Sequence, residues 1–147
     1  MNNYRFIDRD MTAAELEQMR AGFNQNSLDH GVAAQKSDRY GFIVLKGDVF
    51  IGCSSSLAYK NGIQYSGWSY LTDLFVEKEY RLQGIGSRLL RMLEDNLISI
   101  GIKHIWTWTA GYEAPEFYIK YGYQIFTEME NWYSDGSSRI GLRKKLK

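Results

Sequence analysis

The chain has 147 residues, 44% of them hydrophobic, with one proline and 18 basic against 17 acidic side chains, a net charge of +1. This size and composition fit a single globular domain over residues 1–147 with a core of its own, and argue against a disordered or low-complexity segment. The near-neutral charge removes the electrostatic case for a nucleic-acid partner.

Cys53 is the sole cysteine, so no intrachain disulfide forms and a reducing compartment is the simplest reading. No apolar run reaches the ~20 residues of a membrane span, and residues 1–5 lack a signal-peptide apolar region, so a cytoplasmic chain without a membrane partner is expected. The basic end, residues 143–147, reads as a solvated terminus.

In chain order, residues 4–7 are a short strand candidate. Thr12-Ala13-Ala14-Glu15 then has the spacing of a capping box, with Leu16, Met19 and Phe23 as one apolar helical face. Residues 24–39 are polar and aperiodic and read as a short helix plus a mobile loop. From Tyr40 the period shortens: 40–45, a Lys46-Gly47-Asp48 turn and 49–53 make a β-hairpin. After a second turn at Lys60-Asn61-Gly62, a long strand runs over about 63–76, with Gly67 marking a bulge or a close backbone approach.

The helix that begins near Ile85 is the clearest element, because Ile85, Leu89, Leu93 and Leu97 repeat every four residues and Gly101 ends it. Residues 104–109 form a strand with Trp106 and Trp108 on one face and Ile105 and Thr107 on the other. Pro115 suits the first turn of a short helix over 116–121, and Gly122 suits its left-handed C-terminal position. Strands over about 123–129 and 139–146 close a mixed α/β chain.

The stretch Arg81-Leu82-Gln83-Gly84-Ile85-Gly86-Ser87 joins the long strand to the periodic helix. Amides at a helix N-terminus lack intrahelical acceptors and the dipole adds positive potential there, so this is a site for an anionic group. A Walker loop requires Gly-Lys-Ser/Thr, which Gly86-Ser87-Arg88 does not supply, and a dinucleotide fingerprint requires a third glycine where Leu89 stands. Two readings remain: a pyrophosphate-wrapping turn with Arg81 at its edge, or a tight connection and nothing more.

The flanks extend the pattern. Tyr70-Leu71-Thr72-Asp73-Leu74-Phe75-Val76 followed by Arg81-x-x-Gly84-x-Gly86 resembles the acetyl-CoA motif of the GNAT superfamily of N-acetyltransferases. Ala114-Pro115-Glu116-Phe117-Tyr118-Ile119-Lys120-Tyr121-Gly122-Tyr123 is similar to that superfamily's second segment, at the expected distance. The resemblance covers residues 70–126. It implies a GNAT-like α/β (mixed α+β) fold, with a central, mostly antiparallel twisted sheet of about six to seven strands flanked by about four helices.

It also implies acetyl-CoA as co-substrate. The backbone of Leu74, Phe75 and Val76 would bind the pantetheine arm in a gap between splayed strands, and Arg81, Leu82, Gln83, Gly84, Ile85, Gly86 and Ser87 would hold the pyrophosphate. Ala114 and Phe117 complete the cofactor side. Many relatives bind the arm with an asparagine after the next strand; this chain has none there, so Thr109 or the backbone would serve. Tyr118 would protonate the departing thiolate. Asp73 is the best-placed general base, with a structural carboxylate the equal alternative, and Glu113 and Glu116 are weaker options.

No His, Cys and acidic cluster has metal-ligand spacing, so no metal is expected. Trp68, Tyr70, Trp106, Trp108, Tyr112, Trp132 and Tyr133 would border the cleft, either as a cation-holding acceptor wall or as ordinary sheet packing. The expected reaction is acetyl transfer to a primary amine, on a small molecule in preference to a protein. The rival is a non-catalytic CoA-binding module on the same fold. A homodimer is compatible with the resemblance, and the acceptor's identity stays open.

Overall fold

The structure is a computed structural model describing residues 3–147; the leader reading of residues 1–5 includes Met1 and Asn2, which lie outside the described residues. The chain divides into two compact units, residues 1–34 and 35–147.

In the first unit, α1 (Ala13–Asp29) starts at the expected capping box: Thr12 Oγ1 accepts from Glu15 N–H and Glu15 Oε1 accepts from Thr12 N–H. Arg9 pairs with Glu15 at 2.7 Å and holds its carboxyl down to about 2. The helix runs five residues past position 24, residues 30–34 are loop and a strand begins at Gln35, so residues 24–39 hold the end of a longer helix, a short loop and the start of a strand instead of a short helix plus a loop. Its second half is polar, yet Gln25 donates to Asp29, an i to i+4 side-chain pair that supports a helix without an apolar stripe. None of its residues is buried, and Phe23 is 66% exposed, so Leu16, Met19 and Phe23 do not form a buried face. Residues 4–7 are not a strand: they make no ladder, and Ile7 O accepts from Arg9 N–H in a turn.

The second unit is built on one six-stranded sheet in the order β1-β2-β3-β4-β6-β5. The meander of β1 (Gln35–Lys46), β2 (Val49–Asn61) and β3 (Gln64–Val76) is antiparallel through the two predicted turns, although β1 begins five residues earlier than Tyr40. After α2 (Ile85–Ser99) the chain returns as β4 (His104–Ala110), parallel to β3. Then α3 (Pro115–Lys120), β5 (Gln124–Met129) and β6 (Arg139–Lys145) complete it, with β6 between β4 and β5. Among the described residues three α-helices are present instead of about four, because the polar stretch continues α1 rather than starting another element.

The apolar stripe of α2 lies on one face of the sheet, where Leu90, Leu93 and Leu97 join Leu71, Ile105, Ile140 and Leu142 in the core. Each such leucine contributes about 2 kcal/mol of burial. Ser54 Oγ donates to Leu89 O, and a Cβ on Gly52 would lie 2.7 Å from Phe75 O, so glycine there lets β2 and β3 pack closely beneath α2. Gly67, at φ +95, is the expected irregularity: the β2–β3 register slips beside it, and its carbonyl accepts from Lys103 N–H at 2.7 Å.

Candidate active site

The β3–β4 ladder is short. It pairs Trp68 with His104, Ser69 with Ile105 and Tyr70 with Trp106, and there it ends. Thr107 Oγ1 donates to Leu71 O at 2.9 Å at the point of divergence. Beyond it β3 continues to Val76 and β4 to Ala110 without pairing, which leaves backbone donors and acceptors of β3 facing a gap. In a parallel pair this is a binding edge rather than a defect.

The gap opens into a cleft of about 750 Å³, lined by Leu74, Phe75 and Val76 of β3, the 81–87 turn, residues 112–114 and one face of α3. The turn is shaped by two left-handed residues, Leu82 at φ +61 and Gly84 at φ +80. For leucine this conformation costs about 1–2 kcal/mol, and its side chain stands fully in solvent. Alternating handedness aims successive amides to one side, as anion-binding concavities require. The first intrahelical bond of α2 comes from Arg88 N–H to Gly84 O, so the amides of Ile85, Gly86 and Ser87 have no intrahelical acceptor. Arg81 Nε donates to Val76 O at 2.9 Å and ties the turn to the end of β3. A Cβ on Gly86 would stand 3.8 Å from the Phe117 ring, the contact that joins α2 to α3.

Most of the expected cofactor residues therefore meet in one cleft: Leu74, Phe75, Val76, Arg81, Leu82, Gly84, Ile85, Gly86, Ser87, Ala114 and Phe117 line it. Gln83 and Thr109 are not among the lining residues, and Thr109 is 8% exposed. Tyr80, Tyr112, Glu113, Lys120 and Tyr121 line it too. Of these, Lys120 and Tyr121 lie inside the second motif-like segment and were the most findable.

Tyr118 lines the same cleft and is otherwise buried, held edge-on between Phe117 and Tyr123. Burial first, and then the charge of Glu113, push its phenol up to about 12. It is therefore a proton-bearing hydroxyl throughout the neutral range. Asp73 does not line the cleft. Thr72 forms a bulge, since Ser55 pairs with Asp73 and Ser56 with Leu71, and the bulge shifts the alternation of side chains. Asp73 is consequently exposed on the sheet face opposite α2, near Cys53, whose thiol is raised by burial and then by that carboxylate. Glu113, not Asp73, is the acidic side chain that shares the cleft with Tyr118.

The aromatic surface is largely occupied by the chain itself. Arg139 places its guanidinium 4.8 Å from the Trp108 ring and 5.3 Å from Trp132. Trp68 stacks on His104, Tyr70 on Trp106, and Tyr112 meets Tyr133 edge-on. These contacts fit the sheet-packing reading. Among the described residues no group of three or more His, Cys, Asp or Glu side chains is arranged to hold a metal ion, and no helix is long and apolar enough to cross a membrane.

The model of the acetyltransferase (GNAT) domain matches residues 37–125. A thialysine N-epsilon-acetyltransferase of Sus scrofa is 32% identical over 78 residues, covering 48% of this chain and 45% of the relative. The chain thus spans about half the length of the curated relatives it matches. Among solved structures, an acetyltransferase from Bacillus cereus superposes with a TM-score of 0.78 at 22% identity, over 97% of this chain and 98% of that one. An aminoglycoside 6'-N-acetyltransferase complexed with coenzyme A superposes with a TM-score of 0.60 at 23% identity, over 74% of this chain and 73% of that one.

Proposed function

The chain belongs to the GNAT acetyltransferase family, and on that premise we propose that it transfers an acetyl group from acetyl-CoA to a primary amine of a small molecule by direct attack in a ternary complex. The observation that carries the proposal is the convergence of the open β3 edge, the amide-rich 81–87 turn and Tyr118 on one cleft. The cleft fits the donor's chemistry: unpaired strand amides and carbonyls suit an amide-bearing arm, and α2's free amides with Arg81 suit a pyrophosphate. Acetyl-CoA supplies the activated thioester.

The protein's contribution is positional and electrostatic. Backbone groups of Leu74 and Val76, which face away from β2, hold the arm, while Arg81 and residues 82–87 hold the diphosphate. A β3 amide near Leu74 or Phe75 stabilises negative charge on the carbonyl oxygen. The amine attacks as its neutral form, the new C–N bond replaces the C–S bond, the Tyr118 hydroxyl hands its proton to the departing sulfur, and the proton that the nitrogen sheds on becoming an amide restores the tyrosine through solvent. The ammonium loses its proton beforehand to Asp73, to Glu113 or to solvent. Asp73 fits an acceptor that arrives across the face opposite α2. Glu113 fits one that enters beside α3.

What supports a small-molecule acceptor among the relatives is the name of the thialysine enzyme. A thiol-release assay with acetyl-CoA against diamines, basic amino acids and amino sugars tests it. Release that depends on one amine class supports the reading. Binding of acetyl-CoA with no release for any amine replaces it with the non-catalytic CoA-binding module.

A further inference from the structure

Behind Tyr118 the core holds a charged cluster that acetyl transfer does not directly use. Glu94, in the third turn of α2, is 8% exposed. Its Oε2 accepts from the Tyr123 hydroxyl at 2.7 Å and its Oε1 accepts from Lys144 Nζ at 2.7 Å. Tyr123 is 2% exposed, and burial followed by the Glu94 charge raises its phenol far above the ordinary tyrosine range. A carboxylate taken out of water is expensive unless its oxygens are satisfied. Here both are, one by a cation and one by a phenol. Apolar side chains would fill the same space without that cost, so the polar cluster specifies a geometry.

The geometry it specifies belongs to Tyr118. Gly122, at φ +93, closes α3 in a Schellman turn: Tyr123 N–H donates to Tyr118 O and Gly122 N–H donates to Ile119 O. The Tyr123 ring lies 5.4 Å from the Tyr118 ring at 66°. Tyr123 thus grips Tyr118 by backbone and by ring, while its own hydroxyl is fixed to α2, the helix whose first turn carries the free amides. A six-residue helix has little rigidity of its own.

We propose that Glu94, held by Lys144, is a positioning residue that acts through Tyr123 to set the Tyr118 hydroxyl relative to the 81–87 turn. The inference rests on the reading of Tyr118 as the proton donor to sulfur. It makes α2 the common reference for the two ends of the donor substrate: its first turn locates the diphosphate and its third turn locates the acid. Misplacing a reacting group by about 1 Å costs up to about 100-fold in rate, and a hydroxyl on an untethered short helix has that freedom.

The test is a double-mutant cycle on kcat and on the KM for acetyl-CoA, using thiol release with the best amine of the panel. Tyr123→Phe keeps the ring and loses the bond to Glu94; it is expected to lower kcat about tenfold while leaving the KM for acetyl-CoA within about twofold. In the Tyr118→Phe background the same change is expected to cost less than about twofold, because nothing remains to be positioned. Glu94→Gln, which retains an acceptor for the phenol, recovers most of the kcat that Glu94→Leu loses. If Tyr123→Phe fails to fold, the Gln and Leu variants at position 94 carry the same comparison, with Tyr118→Phe as the second leg.

A folded Tyr123→Phe with full kcat overturns the inference, as does an equal loss with and without the Tyr118 hydroxyl, or a Tyr118→Phe that loses nothing. Absence of thiol release from the unsubstituted protein overturns the transfer reading and the positioning role together. Undiminished release in Tyr123→Phe overturns the positioning role alone.

Discussion

The cleft at the C-terminal ends of β3 and β4 and the aromatic face beside it are built on opposite plans. The cleft is made of backbone: an unpaired strand edge, a left-handed pair at Leu82 and Gly84, and amides that α2 leaves free. The face is made of side chains that satisfy one another, with Arg139 over Trp108 and Trp132 and Tyr70 stacked on Trp106. A backbone site keeps unsatisfied groups ready for a ligand, whereas a saturated side-chain surface has little left to offer one. The comparison therefore supports the proposal that binding belongs to the cleft and packing to the face.

Substitutions at the two regions should separate accordingly. The largest effect is expected at the turn: Gly84→Glu puts a β-carbon at φ +80 and a negative charge in the turn proposed to hold the diphosphate, so acetyl-CoA affinity is expected to fall by at least about 100-fold. Calorimetric titration checks it, and retained micromolar binding would break the comparison. Tyr118→Phe is expected to cut kcat by about 100-fold with little change in the affinity for acetyl-CoA, measured by thiol release and titration of the same sample.

The pH arm of that variant has a definite sign. A phenol held at about 12 instead of the ordinary 10 stays protonated to higher pH, so the loss of kcat from its ionisation begins only as pH approaches 12. An alkaline limb centred near 10 that vanishes in Tyr118→Phe would show a Tyr118 more solvated than its burial implies. On the aromatic face the effects should be on stability. A Cβ on Gly141 would fall 2.7 Å from Thr127 and 2.9 Å from Phe126, so Gly141→Ala is expected to cost about 1–3 kcal/mol in denaturant unfolding. Arg139→Ala, losing two cation–π contacts near solvent, costs about 1 kcal/mol. Either substitution abolishing acetyl-CoA binding at unchanged stability would move the binding site to the face.

The same contrast explains what could be read from the chain. Arg81-x-x-Gly84-x-Gly86 was legible because a turn at positive φ, as at Gly84, restricts residue type locally, and Phe117-Tyr118 because it falls in the second motif-like segment. The four-residue spacing of Ile85, Leu89, Leu93 and Leu97 marked α2 for a related reason: a buried stripe imposes a period. The second half of α1 escaped because an i to i+4 polar pair supports a helix without one. The position of Asp73 escaped because closeness to Leu74 along the chain does not announce the bulge at Thr72 that turns Asp73 away from the cleft. Glu94 carries no local signal of burial, because its partners, Tyr123 and Lys144, lie 29 and 50 residues away.

Amide hydrogen exchange, with and without acetyl-CoA, tests the central claim most directly, because it reports on the backbone groups held to bind it. Slowed exchange at Leu74, Val76 and residues 82–87, with the Trp106–Trp108 face unchanged, is the predicted result. Protection confined to the aromatic face, with the β3 edge and the turn exchanging as before, would contradict it.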